Sequence, residues 1–217
     1  MRVGLIRALS TTDQRLLHTH GRLLHTTFGF DVTTRCVPDQ PYGVHDAASL
    51  EAATPKVVEL ACELAGEVDA LIISCAADPG LDETRAVVGI PVIGAGSAAA
   101  AAALAFGGRV GVLGLKNQVP SPISSALGER MVLIDGPDGV ETPNGFLLPT
   151  GIFDTLAGAQ MLAEAGAGVI LQASTGLSSI GMAEVLRHKL GLPVIDAVTA
   201  AGSMLTAAVS MRRSQLA

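Results

Sequence analysis

The chain has 217 residues, enough for one large domain or two small lobes with a real core. Apolar residues make up 49% but aromatic ones only 3%, with no tryptophan, so the core has to be built from Ala, Val, Leu and Ile, as in helices packed on a parallel sheet. A net charge of −6 argues against nucleic acid and anionic membranes as partners, and no apolar run reaches the roughly 18 residues of a membrane span.

In chain order, the N-terminal MRVGLIRALSTTD is a strand (3–6) running into polar residues, without the longer apolar region and cleavage site of a signal peptide. A helix is expected over 12–26. It carries His18, His20 and His25, which read as a solvated face rather than a metal site. A strand (31–37), a helix (47–66) and a buried-type strand (70–74) follow. Next come a helix at 80–88, PVI as a strand (91–93), an Ala-rich helix (97–106) and a strand (109–114). A helix at 120–129 and a strand at 132–134 precede GPDGVETPNG (136–145), a polar stretch suited to a surface loop or lid. The last elements are a helix (153–165), a strand (169–172), a helix (179–190), a second PVI (193–195) and a helix (197–211). This βαβα alternation predicts an α/β fold with parallel strands. Asp78 with Pro79, Ser97, and Ser178 or Ser179 suit helix starts, and Gly191 before Pro193 suits a helix stop.

The chain also echoes itself. DALIISCAA (69–77) matches GVILQASTG (168–176), and PVIGAGSAAAAAAL (91–104) matches PVIDAVTAAGSMLT (193–206). Cys75 stands 16 residues before its PVI and Ser174 stands 19 before the other. Two blocks matching in the same order indicate a duplicated lobe with Cys75 and Ser174 in equivalent places.

The chemistry gathers at those two places. Three cysteines without CxxC spacing argue against a disulfide framework or zinc ribbon, and suit a reducing cytoplasm. Cys36, inside a strand, and Cys62, mid-helix, read as buried structural residues. Cys75 is different. Strand 70–74 delivers it to the carboxyl edge of a parallel sheet, where such sheets bind ligands. The helix opened by Asp78-Pro79 would lower its pKa, although Asp78 itself would raise it. In QASTGLSSIG (172–181), Gly176 permits a sharp turn, and the hydroxyls and N–H groups of the turn suit a carboxylate or enolate oxygen; a plain βα turn fits that stretch as well. Gly176-Leu177-Ser178-Ser179-Ile180 fails as a nucleophile elbow. Gly94-x-Gly96-x-x-Ala99 lacks an acidic residue about 20 positions on, so it is a tight turn rather than a dinucleotide site. His45 and Asp196 are further candidates for a cleft, which the sequence alone does not place there.

CAADPGLDETRAVVGIPVIG (75–94) resembles the segment around the first catalytic cysteine of hydantoin racemases, in the aspartate/glutamate/hydantoin racemase superfamily. GAGVILQASTGL (166–177) resembles the second family segment, LGLPVIDAV (190–198) continues the match, and RVGVLGLKNQV (109–119) resembles the strand and threonine-containing loop of the other lobe. The resemblance implies two similar α/β lobes, each a parallel sheet flanked by helices, related by a pseudo-two-fold with the active site in the cleft between them. The lobes expected are 1–96 with 197–217, and 97–196. It implies cofactor-independent chemistry with no metal, in which one cysteine removes the proton beside a carbonyl and a second returns it from the opposite face. Cys75 matches the first cysteine. Ser174 stands at the second, followed by Thr175, and Leu115 and Gln118 stand in the threonine-type loop. The expected substrate is a small carboxylate or amide carbon acid. Cys75 would be the principal acid/base and Ser174 or Thr175 the opposite group. Ser10 and Thr11, with the Ala76, Ala77 and Gly176 backbone, would hold substrate oxygens. Racemase relatives often assemble, and the sequence leaves the oligomeric state open, a homo-oligomer included. Two other functions fit the missing cysteine: a single-thiol decarboxylase or cis–trans isomerase, and a binding protein that lost turnover.

Overall fold

The computed structural model describes residues 1–133, 136–137 and 139–214. Among the described residues eight strands form two sheets. The first contains β1 (Arg2–Arg7), β2 (Asp31–Cys36), β3 (Ala70–Ser74) and β4 (Val92–Gly94) in the order β2-β1-β3-β4. The second contains β5 (Val110–Leu113), β6 (Met131–Val132), β7 (Val169–Gln172) and β8 (Val194–Ile195) in the order β6-β5-β7-β8. Every pairing is parallel, and the two orders are the same pattern repeated. Register confirms the repeat. Arg7 pairs with Ser74, just before Cys75, and the Ala173 N–H, just before Ser174, donates to the Leu113 carbonyl. RVGLIR (2–7) is therefore the equivalent of RVGVLG (109–114), a third internal match in addition to the two expected from the sequence.

The helices are α1 (Gln14–Phe28), α2 (Ala47–Leu64), α3 (Leu81–Val87), α4 (Ala95–Phe106), α5 (Ser121–Leu127), α6 (Pro149–Glu164), α7 (Gly176–Ser179), α8 (Met182–Leu190) and α9 (Ala197–Ser214). Local signals account for their ends. Asp13 caps α1 by accepting from the Arg15 and Leu16 N–H groups, and Gly29 stops it at φ 68°. Asp46 and Ser49 form a reciprocal capping box at the start of α2. The helix expected over 179–190 is broken in two, because Gly181, at φ 65°, sits between α7 and α8. The strand expected over 132–134 is Met131–Val132, and its last position, Ile134, lies outside the described residues. The expected loop 136–145 holds a 3-10 turn, Pro143–Leu147; its Asp138 also lies outside them.

Alternation along the strands divides the core into three. Val3, Leu5, Ile72, Val110, Val112, Val169 and Leu171 face an inner layer, filled by α4 and α9. Ile6, Leu71 and Ile73 face outward beneath α2, and Leu113 and Ile170 face outward among residues of α6 and α8. Burying each of these large aliphatic side chains contributes about 1.5–3 kcal/mol. The inner layer belongs to both sheets. α4 packs on α9, on α5 and on β7, whereas α9 packs on α1, β3 and β4. Each of these helices follows a strand of one sheet and covers the other. The alanines of α4 (Ala95, Ala98, Ala99, Ala100 and Ala103 are all buried) permit this close approach. Among the described residues no helix is long and apolar enough to cross a membrane.

Candidate active site

The carboxyl ends of β1, β3 and β7 open onto one cavity of about 450 Å³, large enough for a small molecule. Cys75 lies just beyond β3, and Ser174 and Thr175 just beyond β7; all three line the cavity. So do Ala76, Ala77 and Gly176. Its far walls come from His45 and Asp46 at the start of α2, from Leu115, Asn117 and Gln118 after β5, and from Asn144 in the 3-10 turn. Asn144 also donates to the Pro41 carbonyl at 2.9 Å, fastening that turn to the first half of the chain.

Cys75 is partly exposed as a residue, but its sulfur is enclosed. Burial pushes its pKa up to about 12, the N–H groups of Ala77 and Asp78 oppose that rise, and the Asp78 charge adds to it. A thiol activated by a helix start was expected, and the local structure explains the difference. α3 begins at Leu81 with Gly80 at its cap, and Asp78 does not cap it. Asp78 is held at φ 50° and its carboxylate turns the other way, onto the start of α4. There it accepts from the Gly96 N–H (2.8 Å), the Ser97 N–H (2.7 Å) and the Ser97 hydroxyl (2.5 Å). Ser97, expected as a cap, is thus inside α4 and donates to a cap supplied from elsewhere. The resting Cys75 is a neutral thiol, a proton donor.

Across the cavity Ser174 is buried, and its Oγ accepts from the Gly176 N–H at 3.3 Å. The Thr175 hydroxyl donates to the Ser74 carbonyl at 3.3 Å, so the second half of the chain touches the backbone that carries Cys75. Beneath these groups lies a buried polar cluster. His20 bridges Ser74 Oγ (Nδ1, 2.8 Å) and Ser179 Oγ (Nε2, 2.8 Å). Burial, reinforced by the Arg7 cation, holds its pKa well below the usual imidazole value, so it is neutral. Arg7 donates to the Leu16 and Leu17 carbonyls and, at 3.3 Å, to Ser179 Oγ.

Other expected residues lie elsewhere. Ser10 and Thr11 do not line the cavity. The Ser10 hydroxyl donates to the Val37 carbonyl (2.6 Å) and accepts from the Gln40 N–H (2.6 Å), which fixes the loop after β2. Thr11 accepts from the Asp13 N–H at 3.2 Å, ahead of α1. Asp196 is buried at the start of α9, where it accepts from the Thr199 N–H at 2.9 Å. Of the three histidines assigned to a solvated face, His18 and His25 are exposed and His20 is fully buried. Cys62, expected to be buried, is exposed on α2; Cys36, partly buried, ends β2. Among the described residues no three of His, Cys, Asp and Glu are grouped to hold a metal ion. Sequence reasoning passed over Arg7, His20 and Ser179. Arg7 had a signal like that of Cys75, a polar residue closing a buried apolar strand; the two others had none, since a helical spacing does not say what the helix rests on.

Residues 15–146 match the family model described as Asp/Glu/Hydantoin racemase. No curated protein matches the chain in sequence. Among solved structures, the fold is similar to that of an allantoin racemase from Pseudomonas fluorescens, at TM-score 0.83 and 19% identity over 97% of this chain and 92% of that one. An allantoin racemase from Klebsiella pneumoniae is similar at TM-score 0.78 and 23% identity, over 97% and 88%. A glutamate racemase from Francisella tularensis in complex with D-glutamate is similar at TM-score 0.64 and 17% identity, over 98% and 82%. The two-sheet architecture is that shared fold, and the family match spans more than half the sequence: the chain belongs to the Asp/Glu/hydantoin racemase family, and with it to the isomerases.

Proposed function

We propose that this protein is a cofactor-independent racemase or epimerase acting on a carbon acid next to a carboxylate or amide. Cys75 is the principal acid/base, and Ser174 or Thr175 serves the opposite face, directly or through a water. The observation that carries this reading is that strands equivalent by the internal repeat, β3 and β7, bring the thiol and the hydroxyl pair to one cavity. A planar carbanion presents two faces, and one group cannot easily serve both. The backbone of Ala76, Ala77 and Gly176 lines the cavity and supplies N–H donors for the oxygen of an enolate, the Gly176 N–H by giving up its 3.3 Å bond to Ser174 Oγ. Incubation with candidate carbon acids in deuterated water tests the reading. Deuterium is expected at the stereocentre of the substrate; a ligand that binds without ever acquiring it overturns racemisation.

One observation favours a second reading. Among the described residues no imidazole or carboxylate hydrogen-bonds the side-chain hydroxyl of Ser174 or Thr175, and Cys75 rests protonated. A single neutral thiol delivering a proton to one face suits a decarboxylase or a cis–trans isomerase. This reading expects a product of one hand, and Ser174→Cys should erode that preference, as chiral chromatography of the product would show. A racemic product from the unaltered protein overturns it.

The lobes that form the cleft are, in this reading, 1–96 with 197–217, and 97–196. The crossed packing of α4 and α9 supports that division, and residues 215–217 lie outside the described ones.

A further inference from the structure

Arg7 is 3% exposed, yet it lines the cavity at the end of β1. An ion so far out of water is costly unless it is paired. Its guanidinium has five N–H donors, and three hydrogen bonds to the protein engage it: two to main-chain carbonyls of α1 and one to Ser179 Oγ. All three acceptors are neutral. Among the described residues no carboxylate comes within ion-pair distance of it. The nearest ionisable groups do not compensate for it. Burial keeps the Cys36 thiol protonated, and His20 is neutral. Among the described residues the one carboxylate on the cavity wall, Asp46, is exposed and committed to the Ser49 N–H at 2.7 Å. The charge is also one-sided: the internal repeat places Gly114 where the second half would carry the equivalent of Arg7. A Cβ at Gly114 would stand 3.1 Å from the Ala173 Cβ.

We propose that Arg7 is the anchor for an anionic substituent of the substrate, so that this cavity takes a small carboxylate rather than a neutral ring. The inference rests on the racemase reading for the chemistry, and on the unpaired guanidinium alone for the ligand class. The carboxylate supplies the missing counter-charge, accepting from the donors that the protein leaves unused. Because only one half of the site is charged, the anchor fixes which way round the ligand lies between Cys75 and the Ser174–Thr175 pair.

The test uses the full chain and matched probes: malonate, mandelate, aspartate and glutamate, each against its amide, with allantoin and hydantoin as neutral rings. Binding is read by thermal stabilisation and calorimetry, and turnover by deuterium exchange. At least one carboxylate should bind well above its own amide, a comparison that needs no variant. Arg7→Met should lower that carboxylate's affinity about 30-fold or more, and Arg7→Lys by less, since the charge remains but the planar fork is lost. A cation that only braces α1 would lower thermal stability in both variants and leave the carboxylate-over-amide ratio unchanged, which overturns the proposal. So does the failure of every carboxylate to bind. Carboxylate binding that Arg7→Met abolishes, without exchange in any protein, upholds the anchor and overturns the racemase reading. Exchange of a neutral ring alone upholds the racemase reading and overturns the anchor.

Discussion

A thiol and an imidazole, both buried beside the same cavity, are displaced from their ordinary titration in opposite senses for one reason: a low-dielectric surrounding disfavours whichever form is charged. For Cys75 this makes the resting site a proton donor, and it predicts an order of reactivity. Exposed Cys62 should react with iodoacetamide first, and labelling of Cys75 should keep rising past pH 9.0, the ordinary thiol value, as mass spectrometry of the peptides would show. For His20 the consequence is thermodynamic. Its folded pKa lies well below 6.5, so just below pH 6.5 the unfolded chain binds a proton that the folded chain refuses. Stability is therefore lost as pH falls from 6.5 towards the folded value, by up to about 1.4 kcal/mol per pH unit. Urea unfolding of the parent and of His20→Gln between about pH 5 and 7 checks this: the variant should be less stable throughout but should lack that part of the slope.

At the level of elements, the two halves cap equivalent helices in different ways. In the second half Asp196 closes the start of α9 from its own position. In the first half Gly94 stands at the equivalent position, and Asp78 reaches across to close α4. A Cβ on Gly94 would lie 2.5 Å from the Asp78 carboxyl carbon, so the two solutions exclude each other. Asp78→Ala should cost about 1–2 kcal/mol, since it leaves buried N–H groups of α4 without an acceptor. Gly94→Asp alone should also destabilise, by crowding two carboxylates. The double variant should recover much of that loss, because it installs the Asp196 arrangement; denaturant midpoints of the three proteins measure the coupling. Asp78→Ala by itself removes the Asp78 charge beside Cys75 and so should bring the thiol pKa down, whereas the double variant puts a carboxylate back in nearly the same place.

For the whole molecule, the shared inner layer decides cooperativity. α4 and α9 are each packed against the sheet that does not lead into them, and one apolar cluster draws on both sheets. The halves are therefore expected to unfold together, with calorimetric and van't Hoff enthalpies equal; two resolved transitions would contradict it. The alternation of short apolar strands with helices, the internal repeat and the placing of Cys75 and Ser174 at strand ends were all legible in the sequence, because period, spacing and strand-edge position are local properties. Ser10 and Thr11 show where that legibility stops: a hydroxyl after a strand looks the same whether it faces a ligand or, as here, ties down the next loop. The sequence by itself determined the family, the parallel α/β architecture and the position of Cys75 and Ser174 at the ends of equivalent strands. Only the tertiary structure decided that Asp78 serves α4, that His20 is sealed beneath the site, and that Arg7 reaches the cavity without a counter-ion among the described residues. Each of these depends on groups far apart along the chain meeting where water is excluded, and burial cannot be read from the order of residues.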